Sequence, residues 1–195
     1  MALAIRCRCG ALQGELEPSA AYTRATCYCR DCQAFARTLG RSDVLDAAGG
    51  TDVVALSPAG IRFTAGEEHL ACLSLGPKGL YRWHSACCAT PIANIPRAPG
   101  MAYVGVLSSC VADSQALDAA VGRSRTVVGT CSATGPVRAT PYRTALVVLR
   151  TAVGILRARL RGDHRRHPFF RPGSNEPIRA PRILTREQRA AACQA

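Results

Sequence analysis

Cys27-Tyr28-Cys29-Arg30-Asp31-Cys32 puts three sulfurs so close along the chain that no conventional disulfide fits among them. Thiolates spaced Cys-x-Cys-x-x-Cys can turn as a tight knuckle and converge on one metal ion, and zinc takes sulfur ligands at about 2.3 Å in a tetrahedron. Three protein ligands leave the fourth position open. A closed four-thiolate site is usually structural, whereas three ligands with one free position is the arrangement that catalytic zinc sites use.

Outward from the knuckle lie two further ligand-rich stretches, Cys7-Arg8-Cys9-Gly10 and His84-Ser85-Ala86-Cys87-Cys88-Ala89-Thr90-Pro91. The clustered cysteines Cys7, Cys9, Cys27, Cys29, Cys32, Cys87 and Cys88 divide naturally as four plus three. This predicts one closed structural zinc shared by the outlying clusters and a second, open site on the knuckle. The closed site would tie the first hairpin to the loop near residue 88, closing a long chain loop and stabilising the domain. The N-terminus, Met1-Ala-Leu-Ala-Ile-Arg-Cys7, lacks the apolar core and cleavage region of a signal peptide. A reducing, cytoplasmic compartment is therefore expected, where clustered cysteines serve as metal ligands more often than as bridges. Cys72, Cys110, Cys131 and Cys193 stand alone and read as small buried apolar side chains.

The chain has 195 residues, 17 glycines, 12 prolines and only 5% aromatics, which suits short strands and turns better than a helix bundle. Strand-like runs are expected near residues 5–17 as a hairpin, then 22–28, 51–57, 61–64, 70–75, 79–83 and 101–107, separated by Gly- and Pro-containing turns. Residues 31–39 read as a short helix stopped by Gly40. The pattern predicts a mainly β, antiparallel domain over residues 5–110, a connecting segment over 111–139 with a helix at 114–121, and a basic helix and extended tail over 140–195.

The tail begins with Thr140-Pro141, a capping residue followed by proline in the first turn. Tyr142, Leu146, Leu149, Val153, Leu156 and Leu160 then recur in alternating steps of four and three, with Arg143, Arg150 and Arg157 beside them. That period predicts an amphipathic helix whose seam packs on its own domain or on a second subunit, making a homo-oligomer through this helix an expected assembly. The arginines leave no stretch of about twenty apolar residues, so no transmembrane span is expected. Pro168, Pro172, Pro177 and Pro181 predict an extended wrap after the helix, and residues 185–192 a last short helix.

The net charge of +12 is uneven: residues 1–122 hold ten Arg/Lys and ten Asp/Glu, residues 123–195 fifteen Arg and three Asp/Glu. Lys78 is the only lysine, which points to a coding bias toward arginine. No interleaving of arginine with aromatics resembles a single-strand stacking platform, and nucleic acid is not the expected partner.

Cys-x-Cys-Gly near the N-terminus, Cys-x-Cys-x-x-Cys-Gln at residues 27–33, and Arg82-Trp83 ahead of a cysteine-containing loop with Thr90-Pro91 together resemble the glutathione-dependent formaldehyde-activating enzyme (GFA-like) family. The resemblance covers roughly residues 5–110. It implies an antiparallel zinc-binding fold of the β-tent type, one structural zinc, and a second zinc on the three-cysteine loop where glutathione or another small thiol is handled. Carried over by motif, Cys7, Cys9 and Cys88 would hold the structural ion and Cys27, Cys29 and Cys32 the second. The family's third motif places a cysteine where Ser85 stands here and a glycine where Ala89 stands. The fourth structural ligand is then Cys87, His84 or water, with Cys87 favoured because the other ligands are sulfur.

Two functions are expected. One is a carbon-sulfur lyase-type enzyme that joins a thiol to a small aldehyde; Arg24 and Arg30 could meet a glutathione carboxylate, although ordinary surface arginine is the favoured reading of both, and Asp31 is either a base or a helix cap. The other is a non-catalytic zinc module whose basic C-terminal region binds a protein, anionic lipid or nucleic acid.

Overall fold

Alternating burial along short apolar runs sets the strands. In a computed structural model, which describes residues 1–194, the order is β1 (Leu3–Arg6), β2 (Gln13–Leu16), β3 (Ala21–Cys27), α1 (Arg30–Thr38), β4 (Thr51–Leu56), β5 (Ile61–Ala65), β6 (Leu70–Ser74), β7 (Tyr81–Ser85), β8 (Pro91–Ile95) and β9 (Val104–Leu107). After these come α2 (Ser114–Val121), β10 (Val127–Val128), α3 (Pro141–Leu160), β11 (Arg182–Ile183) and α4 (Arg186–Gln194).

The strands form a three-stranded sheet, β1-β2-β5, and an eight-stranded sheet ordered β10-β3-β4-β9-β8-β7-β6-β11. The small sheet and the interior of the large one are antiparallel. Only the end strands β10 and β11 pair in parallel, each through two residues. The fold is thus mainly β with helices at its margins, and residues beyond 110 supply both edges of the large sheet.

One core joins the two sheets, with Leu16, Leu56, Trp83, Ile92, Ile95 and Leu117 fully buried. The proline-rich wrap adds Phe169 to it, 4.9 Å from Trp83 between ring centroids, and Phe170 packs on Tyr81 at 6.1 Å. Burying each such ring stabilises by about 1.5–3 kcal/mol, enough to hold the wrap on the sheet. β8 is not among the strands expected from the sequence; all five of its residues are buried.

Helix α1 stops where Gly40 takes φ +65°, a conformation that costs glycine nothing. α4 lies against α1, with Cys193 and Leu184 beside Phe35, Leu73 and Leu75. α3 packs on its own domain by a face other than the expected seam. Leu149 (60% exposed), Leu156 (57%) and Leu160 (79%) face outward, while Thr144, Val147, Thr151, Gly154 and the buried Ala158 turn inward. Thr151 Oγ1 lies 2.9 Å from Thr23 Oγ1 of β3, and a Cβ on Gly154 would collide with the ring of Tyr22. Small residues let the helix approach the strand closely, and that face packs rather than the leucine-rich one.

Candidate metal centres

The first centre joins two loops far apart in sequence. In the β1–β2 loop, Gly10 takes φ +79°, its N–H donates to the Cys7 carbonyl, and the Leu12 N–H donates to Cys7 Sγ at 3.3 Å. In the β7–β8 loop the Ser85 N–H donates to the Thr90 carbonyl and the Ala89 N–H to the Ser85 carbonyl. Ala89 closes this turn at φ +53°, the one non-glycine residue with positive φ among the described residues. The Arg8 N–H donates to Thr90 Oγ1 at 3.0 Å and locks the loops together.

Between them the sulfurs of Cys7, Cys9, Cys87 and Cys88 all lie within 4.8 Å of one another. The separations are 3.2 Å for Cys9–Cys87, 3.4 Å for Cys7–Cys9, 3.8 Å for Cys7–Cys87 and 3.9 Å for Cys87–Cys88. A tetrahedron with zinc–sulfur bonds of about 2.3 Å has edges of about 3.8 Å, so the donor set fits zinc, and it is far too open for a bond of about 2.05 Å. Burial raises the Cys88 thiol, but hydrogen bonds from Ser85 and Thr90 and the Cys9 N–H outweigh it and bring it down to about 5. Ser85 thus orients Cys88 at 3.3 Å in the place where the family resemblance puts a ligand. His84 is not brought to the sulfurs: burial holds it neutral, down to about 4, its ring meets Phe35 edge-on, and its Nδ1 has no hydrogen-bond partner.

The second centre is local. β3 ends at Cys27, Cys29 is the residue before the first turn of α1, and Cys32 lies in that turn, its N–H donating to the Cys29 carbonyl at 3.1 Å. The three sulfurs again lie within 4.8 Å of each other. Hydrogen bonds from Cys27 and Cys32, then the Cys32 N–H and the charge of Arg82, overcome burial and hold Cys29 at about 2. Crowding against Cys27 and Cys29 pushes Cys32 well above its ordinary value. One negative charge shared among three sulfurs is what a cation there would extend to all three, since binding needs thiolates.

Arg82 on β7 stands in the sequence motif but is given no role there. The residue is 2% exposed. Nη1 lies 2.9 Å from Asn94 Oδ1 and 4.0 Å from Cys32 Sγ, Nη2 lies 3.8 Å from Asp31 Oδ2, and the group sits over the Phe35 ring. A buried cation needs compensating charge, and Asp31 and the lowered thiol of Cys29 supply it. A charged residue inside the apolar run Tyr81-Arg82-Trp83 was the available signal. Tyr103 is also nearby: burial and the charge on Cys32 and Cys27 push its phenol up to about 12.

Two expected roles are corrected. Asp31 does not cap α1; Cys29 precedes the helix without a side-chain cap, and Asp31 pairs with Arg82 and with Arg189 at 3.2 Å. Arg24 is not free for a substrate carboxylate, since Asp52 and Asp118 hold it at 2.7 and 2.8 Å. The connecting segment crosses the knuckle: the Tyr28 N–H donates to the Val128 carbonyl, Gln33 Nε2 donates to the Ser132 carbonyl at 2.7 Å, and Gly129 at φ +67° lies directly on Cys29.

Fold and sites together define a mainly β protein with two cysteine clusters, one of four thiols and one of three, each placed to hold a metal ion. The chain belongs to DUF6151, a family of unknown function, whose pattern it matches over residues 1–178, both clusters and α3 included. No curated protein matches it in sequence. Among solved structures, a Rhodobacter sphaeroides protein determined as a structural-genomics target is similar at 19% identity, over 59% of this chain and 94% of that one, with a TM-score of 0.38. Among the described residues, no helix is long and apolar enough to cross a membrane.

Proposed function

We propose that the chain is a zinc protein of GFA-like type, in which the four-thiolate centre is structural and the three-cysteine knuckle takes a small thiol such as glutathione for addition to an aldehyde. The observation that carries this reading is the unequal donor count: four sulfurs converge at one centre and three at the other, with a buried guanidinium beside the three.

Zinc bound at the knuckle would supply a Lewis-acidic position that keeps an incoming thiol as thiolate at neutral pH. Cys27, Cys29 and Cys32 would hold that ion. Arg82 offsets the excess negative charge of three thiolates, and Asn94 fixes its direction. In the addition, the S–H bond breaks as the thiol becomes thiolate, its sulfur forms a bond to the aldehyde carbon, the carbonyl π electrons move to oxygen, and a proton equivalent to the one released returns to that oxygen through solvent, giving a hemithioacetal without redox change. The covering of Cys29 by Gly129 favours a second reading, in which the knuckle is a purely structural metal site and no thiol enters.

Cobalt-substituted protein separates the two. Millimolar glutathione should change the visible bands of the three-thiolate site, and nuclear magnetic resonance should show the formaldehyde adduct forming faster than in the protein's absence. Unchanged bands with both centres loaded would reject thiol binding and leave the structural reading.

A further inference from the structure

Six of the ten large hydrophobic residues exposed among the described residues lie on the outward face of α3, and its surroundings say what covers it. At about 100° per residue, Val148, Leu156, Leu149, Tyr142, Leu160 and Val153, all exposed, fan over an arc of roughly 140°. A coiled-coil seam is narrower than that. α3 contains no Asp or Glu, so a second copy would set its own arginine row against Arg143, Arg150 and Arg157 with nothing to pair them.

Beside the arc runs a basic trough where α3 meets β3. One part, about 400 Å³, is lined by Leu149 and Val153 and by Arg150, Arg157 and Arg161, with Ser19 to Tyr22 also in the lining. The next, about 350 Å³, adds Arg123 and Arg125 and shares Arg150. Arg125, Arg150 and Arg157 make no ion pair among the described residues. Apolar side chains facing out, with unpaired arginines in a trough along their flank, match acyl chains below and phosphate headgroups beside them.

We propose that α3 docks the protein on an anionic phospholipid surface, lying flat over its length of about 30 Å, with Leu149, Leu156 and Leu160 in the acyl boundary and Arg150 and Arg157 on headgroup phosphates. The arginine stems run along the apolar arc and their heads reach the phosphates. This places the metal domain at a membrane face without spanning it, and it stands whether or not the knuckle handles a thiol.

The test is flotation of the zinc-loaded full chain with phosphatidylcholine vesicles and with vesicles containing 30% phosphatidylglycerol, a composition chosen for the assay. Binding should require the anionic lipid and weaken with salt. Replacing both Arg150 and Arg157 by alanine should weaken it about thirtyfold, about fivefold for each charge at an anionic surface, and Leu149→Glu with Leu156→Glu should abolish it. All four side chains are exposed, so zinc content and melting should not change in these variants. No binding to either vesicle, or equal binding to both, overturns the proposal. So does a solution dimer that the glutamate variants split while vesicles stay unbound, which would make the occupant a second copy. Capture by polyglutamate but not by vesicles would make it an acidic protein.

Discussion

Replacing Cys88 by serine should cost the fold far more than replacing Cys29. The four-thiolate centre joins Cys9 to Cys87 across 78 residues, whereas the knuckle closes only the short span from Cys27 to Cys32. If a metal crosslink restricts the unfolded chain as a disulfide does, the chain-entropy relation gives about 4.5 kcal/mol for the long loop and about 2 kcal/mol for the short one. For a chain of this size 1 kcal/mol moves the melting temperature by about 2–4 °C, so Cys88→Ser should lower it by about 9–18 °C and Cys29→Ser by about 4–8 °C. Zinc per chain by mass spectrometry, with melting followed by circular dichroism, reads both effects. Each variant should lose one ion of two. If Cys88→Ser keeps both ions and melts normally while Cys29→Ser unfolds, the structural role belongs to the knuckle and the division of the two centres is wrong.

Further tests follow from single residues. Ala89→Gly should stabilise by about 1 kcal/mol in urea titration, because Ala89 sits at φ +53°, where a Cβ is penalised; a loss of stability would mean that the turn is not as described. Arg82→Gln should weaken metal affinity at the knuckle by about tenfold or more, as loss of an outer partner does, while leaving the four-thiolate ion in place; competition with a chromophoric chelator measures both. Asp163 is raised by burial but more strongly lowered by Ser57, Arg161 and Arg166, so its stabilising effect is complete above the ordinary carboxylate pKa of about 4 and fades as pH falls through its lower folded value. The stability gap between the wild type and Asp163→Asn should therefore be constant near neutrality and close in acid, and a gap that widens in acid would contradict this. Gly154→Ala should destabilise, since the overpacking cost of about 1–3 kcal/mol against Tyr22 exceeds or matches the helix propensity gain of about 1 kcal/mol; stabilisation by the full propensity gain would show that α3 packs by another face.

Cysteine spacing carried the grouping of the sites because ligands of one knuckle must be near in sequence, and the pairing of residues 7–9 with 87–88 followed from counting what was left. Spacing could not say how deep each centre lies. The four-thiolate centre is at the surface, with Cys9 and Cys87 exposed, while the three-cysteine knuckle lies deeper, with Cys32 buried. Burial of the knuckle comes from Val127–Val128 and Gly129, a run of weak strand signal whose register on β3 is a tertiary matter. The role of Arg82 was hidden for the same reason: a charge in an apolar strand is legible, but the carboxylate that makes it tolerable, Asp31, lies about fifty positions away in the chain.

The α3 face shows where periodicity stops deciding. The helix carries two stripes, Tyr142 to Leu160 and Thr144 to Ala158, and hydrophobicity alone ranks the leucine-rich one as the inner face. The strand beneath settles it otherwise, because β3 presents Tyr22 and Thr23 where the helix crosses, and bulky residues on both sides would hold the backbones apart. Gly154 was the readable sign, for a glycine inside a helix costs about 1 kcal/mol and persists where something lies too close for a Cβ. Read as a packing mark, it sends the small stripe inward and leaves the leucines facing out. That outward placement, with arginines along its edge, makes the exposed apolar arc a surface that needs a partner.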